Sequence, residues 1–298
     1  MMIEKRCFCF HLPHNRQSTT KLKQKEKIFS KEIRHVPFQF LAKHACFRYN
    51  DSMIRLIIGV LFVVVFLIVS IPIQLVELIV KKISPNAAEM SQLRIVQWAF
   101  KVLIFLSGAK VTLIGEENIA QDAPVLYVGN HQSFFDIIIS YSLMKNRTGY
   151  ISKQTIGKIP VLNVYMKRMH CLLLDRSSMA DGFKMISRAA SFVKEGVSIF
   201  IYPEGTRNKS GDETNLAPFH DGSFLIASRA RCPVVPVSFN NTEALFERHL
   251  PFLRPAHVVV EFGKPISMDS LDREQKRHVG EYFRKIVLDM VLKNQKLV

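Results

Sequence analysis

The sequence predicts an α/β fold: a single domain with a central β-sheet flanked by helices, preceded by an N-terminal membrane-anchoring helical segment. Three observations lead there. After residue 110, short apolar runs alternate with amphipathic stretches, the pattern of strands and the helices that cover them. Ahead of that region, Leu56 to Ile73 is a run of eighteen residues without a charge, interrupted only by Gly59, Ser70 and Pro72. The length of 298 residues holds one sizeable α/β domain plus an anchor, and no internal repeat, low-complexity linker or Gly-rich nucleotide loop calls for a second domain.

Residues 1–50 do not read as part of the fold. Lys21-Leu22-Lys23-Gln24-Lys25-Glu26-Lys27 is dense in charge and no helical or strand period surrounds it, so residues 1–52 are expected to form a basic, disordered extension. Met53 directly precedes the apolar run and is a candidate start of the working chain. The run begins too late, and without a small-residue cleavage site, to be a secretory signal. It continues to Val76 before Glu77 and is just long enough to cross a bilayer. Arg55 on one side and Lys81-Lys82 on the other leave its orientation open. Leu93 to Leu106 carries Arg94, Gln97 and Lys101 among Ile95, Val96, Trp98, Phe100 and Phe105, a spacing that predicts an interfacial helix. Together the two are expected to form a hairpin-like anchor over residues 53–110.

Across residues 111–298, strands are predicted at 111–115, 124–128, 171–174, 197–202, 234–239 and 257–262. Phe183, Ile186, Ala190 and Val193 recur at helical spacing, as do Val279, Tyr282, Phe283, Ile286, Val287 and Met290; both stripes are core faces. Of five cysteines, Cys7, Cys9 and Cys46 lie in the extension, which leaves Cys171 and Cys232 as small core residues rather than a disulfide framework. Cys7-Phe8-Cys9 lacks a second ligand pair, so no metal and no cofactor is assigned.

Chemistry concentrates in Asn130-His131-Gln132-Ser133-Phe134-Phe135-Asp136. Pro124 to Val128 is a strand and Ile137-Ile138-Ile139 starts a helical face, so His131 sits on the turn between them. Ser133 and Asp136 fit a capping box, with Ser133 as the N-cap and Asp136 at the third helical position. On one continuous helix, residues five apart diverge by roughly 140°, so the two side chains meet only because His131 lies outside the helix. With Asp136 on one imidazole nitrogen, the tautomer is fixed and the other nitrogen is free to take a proton. Capping boxes are common and a lone turn histidine is ordinarily just solvated; a second motif strengthens the catalytic reading. Phe200 to Tyr202 is a buried strand that runs into Pro203-Glu204-Gly205-Thr206-Arg207, a loop suited to an anion. Gly205 admits close backbone approach, Arg207 offers a planar fork for phosphate, and Glu204 could position that arginine or a substrate hydroxyl.

The two motifs, in this order and about seventy residues apart, resemble those of the glycerolipid acyltransferases, most closely the 1-acylglycerol-3-phosphate (lysophosphatidate) acyltransferases of bacterial type. Residues 130–136 match the family's His-x-x-x-x-Asp block and residues 203–207 its phosphate block. Weaker likenesses run through Ser152-Lys153, Ile159-Pro160, Leu174-Asp175-Arg176 and Val235-Pro236-Val237. Asn208 stands where the family often has Ser, and Phe219-His220-Asp221-Gly222 replaces a more basic stretch. The resemblance implies His131 and Asp136 as the catalytic pair. It implies Glu204, Gly205, Thr206 and Arg207, helped by Lys153 and Arg176, as substrate-binding residues. It further implies acyl-CoA or acyl carrier protein as donor and a cell-membrane location with the active site on the cytoplasmic side.

The net charge of +16 suits an anionic membrane surface and a phosphate-bearing substrate. Half of it comes from residues 1–50, which hold eleven Lys/Arg against three Asp/Glu. No nucleic-acid module accompanies it, which argues against a nucleic-acid partner. With an alcohol as nucleophile, His131 acts as general base and returns the proton to the departing thiolate, and no Gly-x-Ser-x-Gly elbow is needed. Oxyanion donors are expected among backbone N–H groups near Gly129 or the helix start, and Val235, Pro236 and Val237 are candidates to line an acyl tunnel. A second reading keeps the chemistry and changes the acceptor to glycerol-3-phosphate or another lysophospholipid. A third is a non-catalytic lipid-binding protein that keeps the fold.

Overall fold

The computed structural model describes residues 38–298 except 176 and 177; the side chains of 38–50 and Met179 are likewise outside the description. Arg176 and most of the extension therefore lie outside the described residues. Two compact units divide between Asp51 and Ser52, and the second, Ser52–Val298, holds the whole sheet. Helix α1 (Phe38–Ile83) reaches into the extension as a helix, and helix α2 (Pro85–Ser107) follows after Ser84. From Asp51 to Ile83, α1 is long and apolar enough to cross a membrane, and little of its most apolar window is buried inside the protein. Pro85 at the start of α2 has no N–H to leave unsatisfied there, and Gly108 in the left-handed region closes its C-terminus.

Seven strands form one mixed sheet: β1 (Lys110–Ile114), β2 (Leu126–Gly129), β3 (Thr148–Lys153), β4 (Leu172–Leu174), β5 (Ser198–Ile201), β6 (Val234–Asn240) and β7 (His257–Phe262), in the order β1-β7-β6-β2-β5-β3-β4. Strands β2 to β6 run parallel, while β6 and β7 are antiparallel and β1 pairs parallel with β7. All six predicted strands are present. β3 was not among them: Thr148-Gly149-Tyr150 has no apolar run, and its glycine answers a close approach, because a Cβ at Gly149 would lie 2.3 Å from the His170 carbonyl oxygen.

Side-chain alternation along the central strands builds two cores. Tyr127, Phe200, Val235, Val237 and Phe239 face one side, together with Leu93 and Val96 of α2 and Phe135 and Ile139 of α3 (Phe134–Leu143). Leu126, Val128, Ile199, Ile201 and Val234 face the other, under α5 (Met179–Lys194), α6 (Leu225–Ala230) and α8 (Val279–Asn294). Short helices α4 (Pro160–Arg168) and α7 (Arg273–Arg277) complete the layers. The α8 stripe is core, with Phe283 and Val287 fully buried; in α5 the buried face is Ile186, Ala189, Ala190 and Val193, whereas Phe183, expected in the core, is 53% exposed.

Helix α2 has a domain-facing side as well as an outward one. Leu93, Val96 and Gln97 are buried while Trp98 and Phe105 are exposed. Gln97 Nε2 donates to the carbonyls of Tyr141 (3.2 Å) and Met144 (2.6 Å), so it satisfies orphan acceptors at the C-terminal end of α3 and fixes the helix whose other end carries the site.

Candidate active site

Strands β2 and β5 lie side by side and parallel, so their C-terminal ends deliver the two motif loops to the same edge of the sheet, the usual position for ligands in parallel α/β sheets. Ser133 is the N-cap of α3: its Oγ accepts from the Phe135 N–H at 3.0 Å, and Asp136 accepts from the Ser133 N–H at 2.8 Å, completing the capping box. His131 stands outside the helix and its Nδ1 donates to Asp136 Oδ2 at 2.9 Å. The imidazole ring stacks on Tyr202, with centroids 4.1 Å apart and planes 19° from parallel. Nδ1 and one ring face are thus taken, and Nε2 is left for the cavity that His131 lines.

Asp136 is fully buried and heavily bonded. Oδ2 accepts from His131 Nδ1, from the Gln132 N–H at 2.7 Å and from the Ser133 N–H at 2.8 Å; Oδ1 accepts from Thr242 Oγ1 at 2.5 Å. A buried carboxylate keeps its charge only when its lone pairs are met, and this one has a partner on both oxygens.

Of the two partners considered for Glu204, the arginine is not the one it meets in the structure: Oε1 accepts from the His131 N–H at 2.8 Å and Oε2 from the Ala217 N–H at 3.0 Å. Its role in the structure is to clamp the histidine turn onto the second loop. Burial raises its pKa above the ordinary 4.5, against the lowering effect of those two N–H donors. A second clamp runs the other way, from the Asn208 N–H to the His131 carbonyl at 2.7 Å. Arg207 instead pairs with Glu247, Nη1 to Oε1 at 2.9 Å, and its guanidinium lies 4.0 Å over the Phe134 ring. Neither Thr242 nor Glu247 was a candidate from the sequence.

A cavity of about 560 Å³ opens beside His131. Its lining includes the basic side chains Lys153, Lys209, Arg207 and His220 and the apolar side chains Ile137, Ile151, Ile156, Leu174, Met185 and Ile201. Lys153, a candidate from the sequence, and Lys209, which was not one, both line the cavity that His131 lines. Gly205, with φ of 70°, turns the loop in the left-handed region, and Thr206 follows it into the cavity lining. Val235, Pro236 and Val237 are buried within β6 and do not line this cavity, because alternate residues of a central strand are covered on both faces. The N–H groups of residues 131 to 135 are already bonded, to Glu204, Asp136, Glu247 and Ser133, so of the two places named for oxyanion donors, Gly129 and the helix start, the second offers none of these five amides. Among the described residues no group of three His, Cys, Asp or Glu side chains is arranged to hold a metal ion. Cys171 and Cys232 are free thiols, both pushed up to about 11 by burial.

A family model described as Acyltransferase matches residues 110–240. The 1-acyl-sn-glycerol-3-phosphate acyltransferase of Saccharomyces cerevisiae is 28% identical over 193 residues, 64% of this chain and 62% of that protein. A chloroplastic 1-acyl-sn-glycerol-3-phosphate acyltransferase of Brassica napus is 40% identical over 134 residues, 45% of this chain and 38% of that protein. The chain spans about three fifths of the length of the first of these relatives and less of the second. The crystal structure of a 1-acyl-sn-glycerophosphate (LPA) acyltransferase from Thermotoga maritima superposes with a TM-score of 0.66 at 21% identity, covering 81% of this chain and 97% of that one, which establishes the shared fold.

Proposed function

We propose that this chain, whose residues 110–240 match a family model described as Acyltransferase, transfers a fatty acyl group from a thioester, acyl-CoA or acyl carrier protein, to the sn-2 hydroxyl of lysophosphatidate, giving phosphatidate. The observation that carries this reading is the His131 Nδ1 to Asp136 Oδ2 bond of 2.9 Å, which leaves Nε2 beside a cavity lined by both basic and apolar side chains. A phosphate-bearing, single-tailed lipid matches both kinds of lining. The names of the relatives support the same acceptor.

In the reaction, Nε2 of His131 takes the proton of the acceptor hydroxyl as its oxygen attacks the thioester carbon. Asp136 holds the ring in the required tautomer and stabilises the imidazolium. Collapse of the tetrahedral intermediate breaks the carbon–sulfur bond, and the thiolate leaves with the proton from Nε2. The attacking oxygen belongs to the substrate, so no acyl-enzyme forms. Arg207, Lys153 and Lys209 hold the phosphate, and the isoleucine and methionine side chains of the lining receive an acyl chain. Holding phosphate and hydroxyl in one geometry contributes several kcal/mol to lowering the barrier.

Helix α1 and the outward Trp98 and Phe105 of α2 support residence at a membrane; a site on the cytoplasmic side, with lipid substrate drawn from the adjoining leaflet, is part of the proposal and rests on the family resemblance alone. Thiol release in detergent or membranes tests the assignment, with each donor class given lysophosphatidate or glycerol-3-phosphate. Release is expected to require lysophosphatidate and to fall by about two to four orders of magnitude in His131→Ala. An unchanged rate in that variant removes His131 from the mechanism.

A further inference from the structure

Glu247 belongs to neither motif and lies beyond residue 240, where the family match ends, yet its carboxylate joins the two motif loops. Oε1 accepts from the Phe134 N–H at 2.8 Å and from Arg207 Nη1 at 2.9 Å, and Oε2 accepts from Ser133 Oγ at 2.6 Å. Ser133 and Phe134 are the N-cap and first residue of the helix that presents Asp136 to His131. The glutamate side chain is only 17% exposed. We propose that Glu247 is the positioning residue that presets Arg207 for the acceptor's phosphate and fixes its distance from the dyad; this rests on the reading of Arg207 as a phosphate ligand.

A long arginine at a cavity mouth samples many rotamers, and each phosphate contact it makes must first overcome that freedom. Here the freedom is already removed. Glu247 holds Nη1, and the Phe134 ring lies beneath the guanidinium plane at 4.0 Å. Among the described residues no protein acceptor engages Nε or Nη2, so that edge of the fork remains for two parallel hydrogen bonds to phosphate oxygens. The glutamate cannot drift with the arginine, because its other bonds are to the N-cap hydroxyl and a backbone amide. Phosphate and base are thereby held to one reference, the start of α3. A ligand gripped at its phosphate then presents one particular hydroxyl to Nε2. Glu247 neutralises part of Arg207, and Lys153 and Lys209, which line the same cavity, add positive charge to it.

The test is a double-mutant cycle on the full-length protein in detergent micelles, reading lysophosphatidate binding by calorimetry and KM and kcat by thiol release. Glu247→Ala is expected to weaken lysophosphatidate binding and raise KM by roughly tenfold, with a smaller fall in kcat. In an Arg207→Ala background the same change is expected to cost less than about twofold, since there is no arginine left to position. Glu247→Gln, which keeps one oxygen acceptor, should recover part of the loss; if the alanine variant melts early, this variant carries the comparison. Equal losses with and without Arg207, or a loss confined to kcat, would overturn the proposal and leave Glu247 as a brace for the helix start. If Arg207→Ala binds lysophosphatidate as well as the native protein does, the phosphate reading of Arg207 fails first and takes the proposal with it.

Discussion

Thr242 Oγ1 donates to Asp136 Oδ1 at 2.5 Å although 106 positions separate the two residues. The bond ties the segment after β6 to the carboxylate that orients His131. Thr242→Val keeps the shape and deletes the donor, leaving a buried charged oxygen without its partner. Hydrogen bonds to charged groups contribute about 1.5–3 kcal/mol, so a fall in Tm of roughly 4–8 °C is expected. Turnover should drop with little change in KM, because the ring is misaligned and the phosphate site is untouched. Thermal melts with kinetics on the same preparation check both.

Glu204 makes a pH-dependent prediction. Its folded-state pKa lies above the ordinary 4.5 through burial, so the folded protein takes up this proton before the unfolded chain does. Wild-type stability relative to Glu204→Gln should therefore rise as pH falls from the raised value towards 4.5, and level off below 4.5. At neutral pH two effects oppose each other: the glutamine removes a buried charge, but leaves one of the His131 and Ala217 N–H groups unpaired at about 1–3 kcal/mol. Urea unfolding of both proteins across this range reads the trend, and a flat difference would refute it.

Cys171 and Cys232 should resist alkylation in the folded protein. With both thiols pushed up to about 11, the thiolate fraction at pH 8 is about two orders of magnitude below that of a free cysteine. Peptide mass spectrometry after iodoacetamide treatment should find both unmodified in the native protein and modified in denaturant. Rapid native labelling of either would contradict its burial.

Leu61 is 59% exposed in the middle of the apolar run of α1. If this face meets lipid, Leu61→Lys places a charge there at a cost of about 2.5–3.5 kcal/mol, and flotation with liposomes should fall markedly. Unchanged flotation would mean that α1 is not the anchor.

The sequence made legible what depends on neighbours in the chain. His131 and Asp136 were found because a strand, a turn and a capping box are local, and six strands because each is a short apolar run. β3 escaped because Gly149 replaces a side chain with a close backbone contact from another segment. Thr242 and Glu247 escaped for a related reason: nothing near either residue signals that β6 will carry it beside β2. For Glu204 two partners were open, Arg207 or a substrate hydroxyl, and the loop's own spacing does not reveal the His131 and Ala217 N–H groups that its carboxylate meets. Phe183 fitted the helical period and is nevertheless half exposed, while Ile186, Ala190 and Val193 of the same stripe are buried.

The five successive amides from His131 to Phe135 are all claimed, by three carboxylates and one hydroxyl. A turn bonded this way surrendered its slack when the chain folded, so substrate arrival has nothing left to organise there. Its supports come from the β6 side and from the loop after β5, whereas much of the cavity wall comes from β3, β4 and α5 on the opposite flank. In the proposed reaction, proton handling and substrate choice consequently sit on separable parts of one molecule. Residues such as Ile151, Leu174 and Met185 can change the size and shape of what is admitted while the machinery around His131 stays as it is.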